Sequence, residues 1–206
     1  VWSRAVDPAT GAPSGSPLLM PGSVTSYAGA PSQSQMLGRT PIVAVPGRPG
    51  VFFLAYPGGY PATTKVLLWQ VGSPSSVTVV NEAGDHNQVS LAADAAGRLW
   101  VFWSHFAAGG DHIYARRITA AGPQLAIDLG APAGTAAVYA LDGAVAPNGN
   151  PEVLALIGHS NGTAGTYYTR GPQLAPVPPP VLGKAIDAGL AAGQVLVKLP
   201  GRAAAA

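Results

Sequence analysis

The chain has no cysteine, so no disulfide staples it and no thiolate is available to a metal. Charge is scarce. Asp, Glu, Lys and Arg make up 10% of the 206 residues, against roughly 25% in an average soluble domain. The only glutamates are Glu82 and Glu152, which leaves a two-glutamate glycosidase without support, since retaining chemistry needs two carboxylates about 5 Å apart. No apolar run reaches the roughly 18 residues that span a bilayer. There is no P-loop, G-x-G-x-x-G, H-E-x-x-H or G-x-S-x-G, which removes the nucleotide, zincin and α/β-hydrolase readings. No signal-peptide pattern is visible, because Val1 opens directly into a strand-like segment. The expectation is a chain that starts after processing or inside a longer protein.

What is present is apolar and loop-rich. Hydrophobic residues reach 48%, so the chain is not a disordered one despite 27 Gly and 21 Pro. Its surface must be covered by backbone, Ser, Thr, Asn and small residues, which suits a secreted or cell-surface protein. The net charge is +2, and the cations are single or in one pair. No basic cluster accompanies them, so nucleic acid is not an expected partner.

Strand patterns follow one another along the chain. Residues 1–6 and the segment leading to Leu18-Leu19-Met20 flank the turn Asp7-Pro8-Ala9-Thr10-Gly11. Residues 41–45 and 51–56 flank PGRPG, and KVLLWQV and SSVTVV come next. The densest unit is Asn87 to Leu125: an alternating strand, the turn Asp94-Ala95-Ala96-Gly97, the strand LWVFW, a loop and the strand IYARRI. Leu141–Ala146 and Glu152–Ile157 repeat strand, turn, strand around Pro147-Asn148-Gly149, and TYYTR supplies another strand. The turn glycines Gly50, Gly97, Gly149 and Gly193 fall 47, 52 and 44 residues apart. An aromatic precedes an arginine by two positions in Trp2/Arg4, Tyr114/Arg116 and Tyr168/Arg170. One arginine per unit places these around an array as inter-strand or surface partners, not at one site. A period of about 40–50 residues with four short strands per unit predicts an all-β propeller of four-stranded antiparallel blades.

Residues 1–175 would form the blades, 176–183 a Pro-rich spacer, and 184–206 closing strands followed by an Ala-rich tail. An Ala-rich stretch at 185–193 reads equally as helix. Residues 1–22 read as the outer two strands of a blade and AIDAGLAAGQVLVK (185–198) as an inner pair, together one shared blade in a four-bladed ring. The alternative is a segment of a larger propeller, with other chain segments as partners.

The central unit resembles the repeats of sialidase-like β-propellers. Ser90, Asp94, Gly97, Trp100, Trp103 and the strand IYARRI carry the likeness, with Asp94 four residues after Ser90 where an Asp-box has two. The resemblance implies the fold. The group's catalytic set of arginines, a Tyr/Glu pair and an acid does not map onto this chain residue by residue, so no catalytic residue is assigned.

In a propeller, alternate connections emerge on opposite faces. PGRPG, DAAG, APNGN, DPATG and TAAG read as tight turns on one face. PGGYPATTK, NEAGDHN, HFAAGGDH and GHSNGTAGT read as longer loops on the other, and all four histidines lie in or beside these. The candidate ligand-binding residues are therefore Tyr60, Asp85, His86, His105, Asp111, His112, His159 and Asn161, with Glu82 and Asn87 nearby. Gly-Asp-His occurs twice, at 84–86 and 110–112, in loops expected to be neighbours. Asp and His together can hydrogen-bond sugar hydroxyls, hold a divalent cation such as calcium, or move protons. The plainer alternative is that Asp and Asn cap strand corners with solvated His beside them. Trp100, Phe102 and Trp103 are read as core, and Tyr60 as a ring exposed for stacking on a sugar. The expected function is a recognition or structural propeller binding carbohydrate or a protein partner, with a glycan-processing enzyme as the alternative. No cofactor is required, calcium being the one candidate.

Overall fold

A computed structural model describes residues 2–23, 40–58, 63–107 and 110–171. The proposed spacer 176–183 and the segment 184–206 lie outside the described residues, as does Tyr60. Within the described residues the chain is all-β, with no helix and fourteen strands in four antiparallel sheets. No helix there is long and apolar enough to cross a membrane.

Each sheet is built from consecutive strands. The first is a hairpin of β1 (Trp2–Val6) and β2 (Pro13–Leu19). The second runs in order through β3 (Ile42–Ala44), β4 (Phe52–Gly58), β5 (Lys65–Gln70) and β6 (Val77–Asn81). The third comprises β7 (Asp85–Ala93), β8 (Leu99–Ala107) and β9 (Gly110–Thr119), and its outer edge is shared by two short strands. These are β10 (Gly122–Pro123) and β11 (Ile127–Gly130), both paired to β9. The fourth is β12 (Thr135–Val145), β13 (Pro151–His159) and β14 (Ala164–Arg170). The short connections explain the meander order, because a tight turn can join only antiparallel neighbours.

The sheets stack face to face in chain order. Strand β8 reads as a nearly unbroken apolar run because both of its faces are covered. Leu99, Val101 and Trp103 pack with Val45, Ala55, Val66 and Leu68 of the second sheet. Trp100 and Phe102 point the other way, into Val138, Val153, Ala155 and Ile157 of the fourth. Burying each such side chain contributes roughly 1.5–3 kcal/mol, so the third sheet is held from both sides. The second sheet in turn packs Leu54, Tyr56 and Trp69 against Met20, just past β2. The first strands of successive sheets adjoin, β3 beside β7 and β7 beside β12.

A polar link recurs at these junctions. A carbonyl near the end of each sheet's last strand accepts a hydrogen bond from the sheet that follows. Pro21 O accepts from the Tyr56 hydroxyl at 2.6 Å. Val79 O accepts from Arg116 Nη1, and Leu129 O accepts from Thr169 Oγ1 at 3.1 Å. Outer-edge carbonyls would otherwise be left unpaired where the sheets close on each other.

Candidate functional site

The two Gly-Asp-His triplets flank β8 on either side, and they lie mostly in strands. His86 opens β7, His112 opens β9, and both are cross-strand partners of His105. The three imidazoles therefore form one transverse row on the third sheet. The row is graded in exposure: His86 is fully buried, His105 is half-buried and His112 is exposed.

Each member of the triplets has a physical reason. Gly84 and Gly110 adopt positive φ, +107° and +121°, where side chains are disfavoured. A Cβ on Gly84 would sit 2.3 Å from His105 Nε2, and one on Gly110 would sit 2.1 Å from the Thr135 carbonyl oxygen. The aspartates tie β7 and β9 to their neighbours. Asp85 Oδ1 accepts from Thr63 Oγ1 at 3.1 Å, and the Thr63 carbonyl accepts from the His86 N–H. Asp111 Oδ2 accepts from the Val138 N–H at 2.6 Å, reaching across to β12. Burial pushes the Asp111 carboxyl above the ordinary carboxylate range, against the Val138 hydrogen bond and the His105 charge.

The rings continue the row toward solvent. His86 and His105 have ring centroids 4.6 Å apart, and His105 Nε2 donates to the Ala83 carbonyl at 3.1 Å. Tyr114 lies 6.1 Å from His105, 6.4 Å from His112 and 5.7 Å from Trp103, and the Arg116 guanidinium lies over the Trp103 ring, 5.7 Å from its centroid. His112 Nδ1 is 3.4 Å from Asp128 Oδ2, and both side chains are about half exposed, 48% and 50%. Burial, with the Asp128 and Glu82 charges behind it, raises the Tyr114 phenol, which stays a neutral donor. Burial also lowers His86 to about 4, helped by repulsion from His105 and only partly opposed by Glu82 and Asp85. Neither ring nitrogen of His86 has a partner at ordinary hydrogen-bond geometry, and the nearby Glu82 backbone only partly offsets its burial.

The remaining candidates separate from this cluster. His159 ends β13 opposite Thr135, and Asn161 closes the following turn by accepting from the Thr163 N–H and hydroxyl. No hydrogen bond, ion pair or ring contact joins either to His112 among the described residues. Nor do any three His, Asp or Glu side chains there converge to hold a metal ion.

The two-sidedness expected from the connections is present, but the contrast in loop length is not. On one side, the Ser160 N–H donates to Gly134 O, Gly110 meets Thr135, and Gly84 meets His105. On the other, Gly97 approaches Pro46 O at 3.2 Å and Gly149 approaches Arg98 at 3.5 Å, measured from the position a Cβ would take. The supposed long loops 82–84, 108–109 and 160–163 are shorter than the supposed tight turns 94–98 and 146–150, and the connection 59–64 is shorter than the supposed tight turn 45–51. The strands simply run on through the histidines, because His86–His105 and His105–His112 pair as ladder rungs. Asp128 is the residue that sequence reasoning missed. Its strand β11 has little apolar alternation to announce it.

No protein-family model matches the chain, and no curated protein matches it.

Proposed function

We propose that the second, third and fourth sheets are blades of a β-propeller and the first sheet part of a further one, and that the chain is a recognition module binding carbohydrate or a protein partner. The binding edge would be the one carrying His105, His112, Tyr114 and Asp128. The observation that carries this reading is the row of rings graded from buried His86 to exposed His112, with the Asp128 carboxylate beside it. A rigid strand ladder presenting an aromatic face, imidazoles and a carboxylate suits stacking on a sugar ring and bonding to its hydroxyls. The low charge of the chain supports secretion or surface display. Asp111 offers no help to an enzymatic reading, because its side chain is buried and one oxygen is held by Val138.

The blade reading is supported by the face-to-face stacking in chain order, the adjoining first strands and the recurring carbonyl link. The likeness of the Ser90–Ile118 unit to sialidase-like propeller repeats belongs to the same proposal. Both ends of the stack leave apolar side chains uncovered: Ile42 and Phe52 on the second sheet, Tyr139, Leu154 and Leu156 on the fourth. One further blade between them would cover both. The hairpin β1–β2 would supply two of its strands. Light scattering tests this arrangement. A compact, cooperatively unfolding monomer is expected, and an obligate oligomer would favour a segment of a larger propeller.

The recognition reading is tested by a glycan array probed with the intact chain, with calcium and with chelator. Selective binding, weakened by His112→Ala or Asp128→Ala, is expected. A blank array under both conditions would sink carbohydrate recognition and leave a protein partner.

A further inference from the structure

The opposite side of the molecule holds a cleft of about 220 Å³ between the end of β9 and the β12–β13 turn. Trp100, Arg117, Leu125, Ile127, Asn150 and Pro151 are among its walls. Trp100 and Arg117 are cross-strand partners on β8 and β9, so their side chains rise from the same face of the third sheet. Asn150 closes the turn: its carbonyl accepts from the Ala146 N–H, and its own N–H donates to Asn148 Oδ1. Its backbone is thus satisfied while its side chain is free for the cleft.

Two buried donors in these walls have no acceptor. Trp100 is 5% exposed and Asn150 is 2% exposed, and neither Trp100 Nε1 nor Asn150 Nδ2 has a hydrogen-bond partner. A buried donor left unpaired costs about 1–3 kcal/mol, so each calls for a partner. Arg117 adds a positive charge, and no ion pair engages it among the described residues. No carboxylate lines the cleft. Gln124, whose Nε2 donates to Thr119 Oγ1 at 3.1 Å, is the one further polar side chain of the wall, and Leu125 stands 90% exposed. The cleft therefore offers N–H donors, a cation and hydrocarbon, and its only acceptor side chains are the neutral amides of Gln124 and Asn150.

We propose that this cleft binds the carboxylate of a small apolar acid, the carboxylate oxygens meeting Trp100 Nε1, Asn150 Nδ2 and Arg117, the apolar part lying against Leu125, Ile127 and Pro151. At roughly 30 Å³ per water, the volume corresponds to about seven waters, the space of one amino-acid residue. The same chemistry is found in a free acid and in the C-terminal residue of a peptide. This site is independent of the histidine edge, and either can fail without the other.

Indole N–H resonances report on it directly. The chain has four tryptophans, and the Trp100 signal is identified by its loss in Trp100→Phe. N-acetyl-leucine, its amide, and a short peptide ending in leucine would be titrated into the full chain to millimolar concentration. A saturable shift of the Trp100 signal is expected with the acid or the peptide, absent with the amide, and weakened at least tenfold by Arg117→Met. Binding of free N-acetyl-leucine identifies a small-acid site; binding of the peptide alone identifies a C-terminus reader. Asn150→Asp provides a second variant: it puts a negative charge in the cleft and should abolish the shift. No saturable shift with either carboxylate would mean that the cleft holds only water, and equal shifts from acid and amide would refute carboxylate recognition.

Discussion

His86 and His105 face each other across β7 and β8 with ring centroids 4.6 Å apart, and the more buried of the two has neither nitrogen bonded. The pair is tolerable only while His86 is neutral. Its folded value, about 4, lies below the ordinary 6.5 because burial and His105 both disfavour the charged ring. The unfolded chain thus takes up this proton first as pH falls. Stability from this group is complete above about pH 6.5 and is lost between there and about pH 4, a total on the order of 3 kcal/mol. Urea midpoints at pH 7.5, 6 and 4.5 should fall steeply for the native chain and less steeply for His86→Phe. At neutral pH that variant should be near-neutral, since it removes two unsatisfied nitrogens. An unchanged slope in His86→Phe would exclude His86 as the source.

The two triplet glycines should respond differently to alanine, although both have positive φ. At Gly110 the new methyl meets a backbone oxygen, Thr135 O at 2.1 Å, which can move only if β12 moves. At Gly84 it meets chiefly the His105 imidazole, the end of a side chain that can swing away, and approaches the Phe106 carbonyl oxygen only to 3.1 Å. The backbone conformation alone costs about 1–3 kcal/mol in each. Gly110→Ala should exceed that range and Gly84→Ala should stay within it while displacing His105. Denaturant unfolding of the two variants gives the ranking, and equal losses would contradict it.

These glycines also mark how far the sequence could be read. The repeated Gly-Asp-His was visible, and so was its expected adjacency, but its meaning was not. Short polar residues in sequence look like loop chemistry, whereas here the glycines allow close approach and the aspartates tie β7 and β9 to flanking strands. The strand pattern was legible in β4, β5 and β8, where apolar and β-branched residues dominate. It failed at β11, whose Ile127-Asp128-Leu129-Gly130 is too short to show a period. Alternation along LWVFW identified core side chains but could not tell that the Trp100 nitrogen would be left unbonded at a cleft. The cleft also takes walls from Asn150, fifty positions away.

The seat between β7 and β12 depends on a residue with no side chain. A Cβ on Gly143 would lie 2.3 Å from the Phe102 ring, which is fully buried. The Gly143 N–H also donates to Ser90 Oγ at 3.0 Å, and Ser90 in turn donates to Asp142 Oδ1 at 3.1 Å. Gly143→Ala should cost about 1–3 kcal/mol as an overpacked core position. Phe102→Leu alone leaves a gap and also destabilises. Together they should cost less than the sum, with a coupling of about 1 kcal/mol or more. Strict additivity in a double-mutant cycle would mean that the ring and the methyl do not compete for the same space.

Arg170 and Glu152 pair across β14 and β13 at 2.5 Å, with only 8% and 16% of their side chains exposed. Tyr168 adjoins them, and burial, then the Glu152 charge, raises its phenol. Surface ion pairs contribute little and weaken with salt, but a pair this sheltered strands a charge when one member is lost. Arg170→Leu or Glu152→Leu should each cost about 3 kcal/mol, and the double variant should recover most of it, because an apolar pair leaves no charge to desolvate. The loss in the single variants should persist at high salt. Urea unfolding of all four chains at low and high ionic strength tests this. Additive losses, or an effect that disappears with salt, would show that the pair behaves as an exposed one.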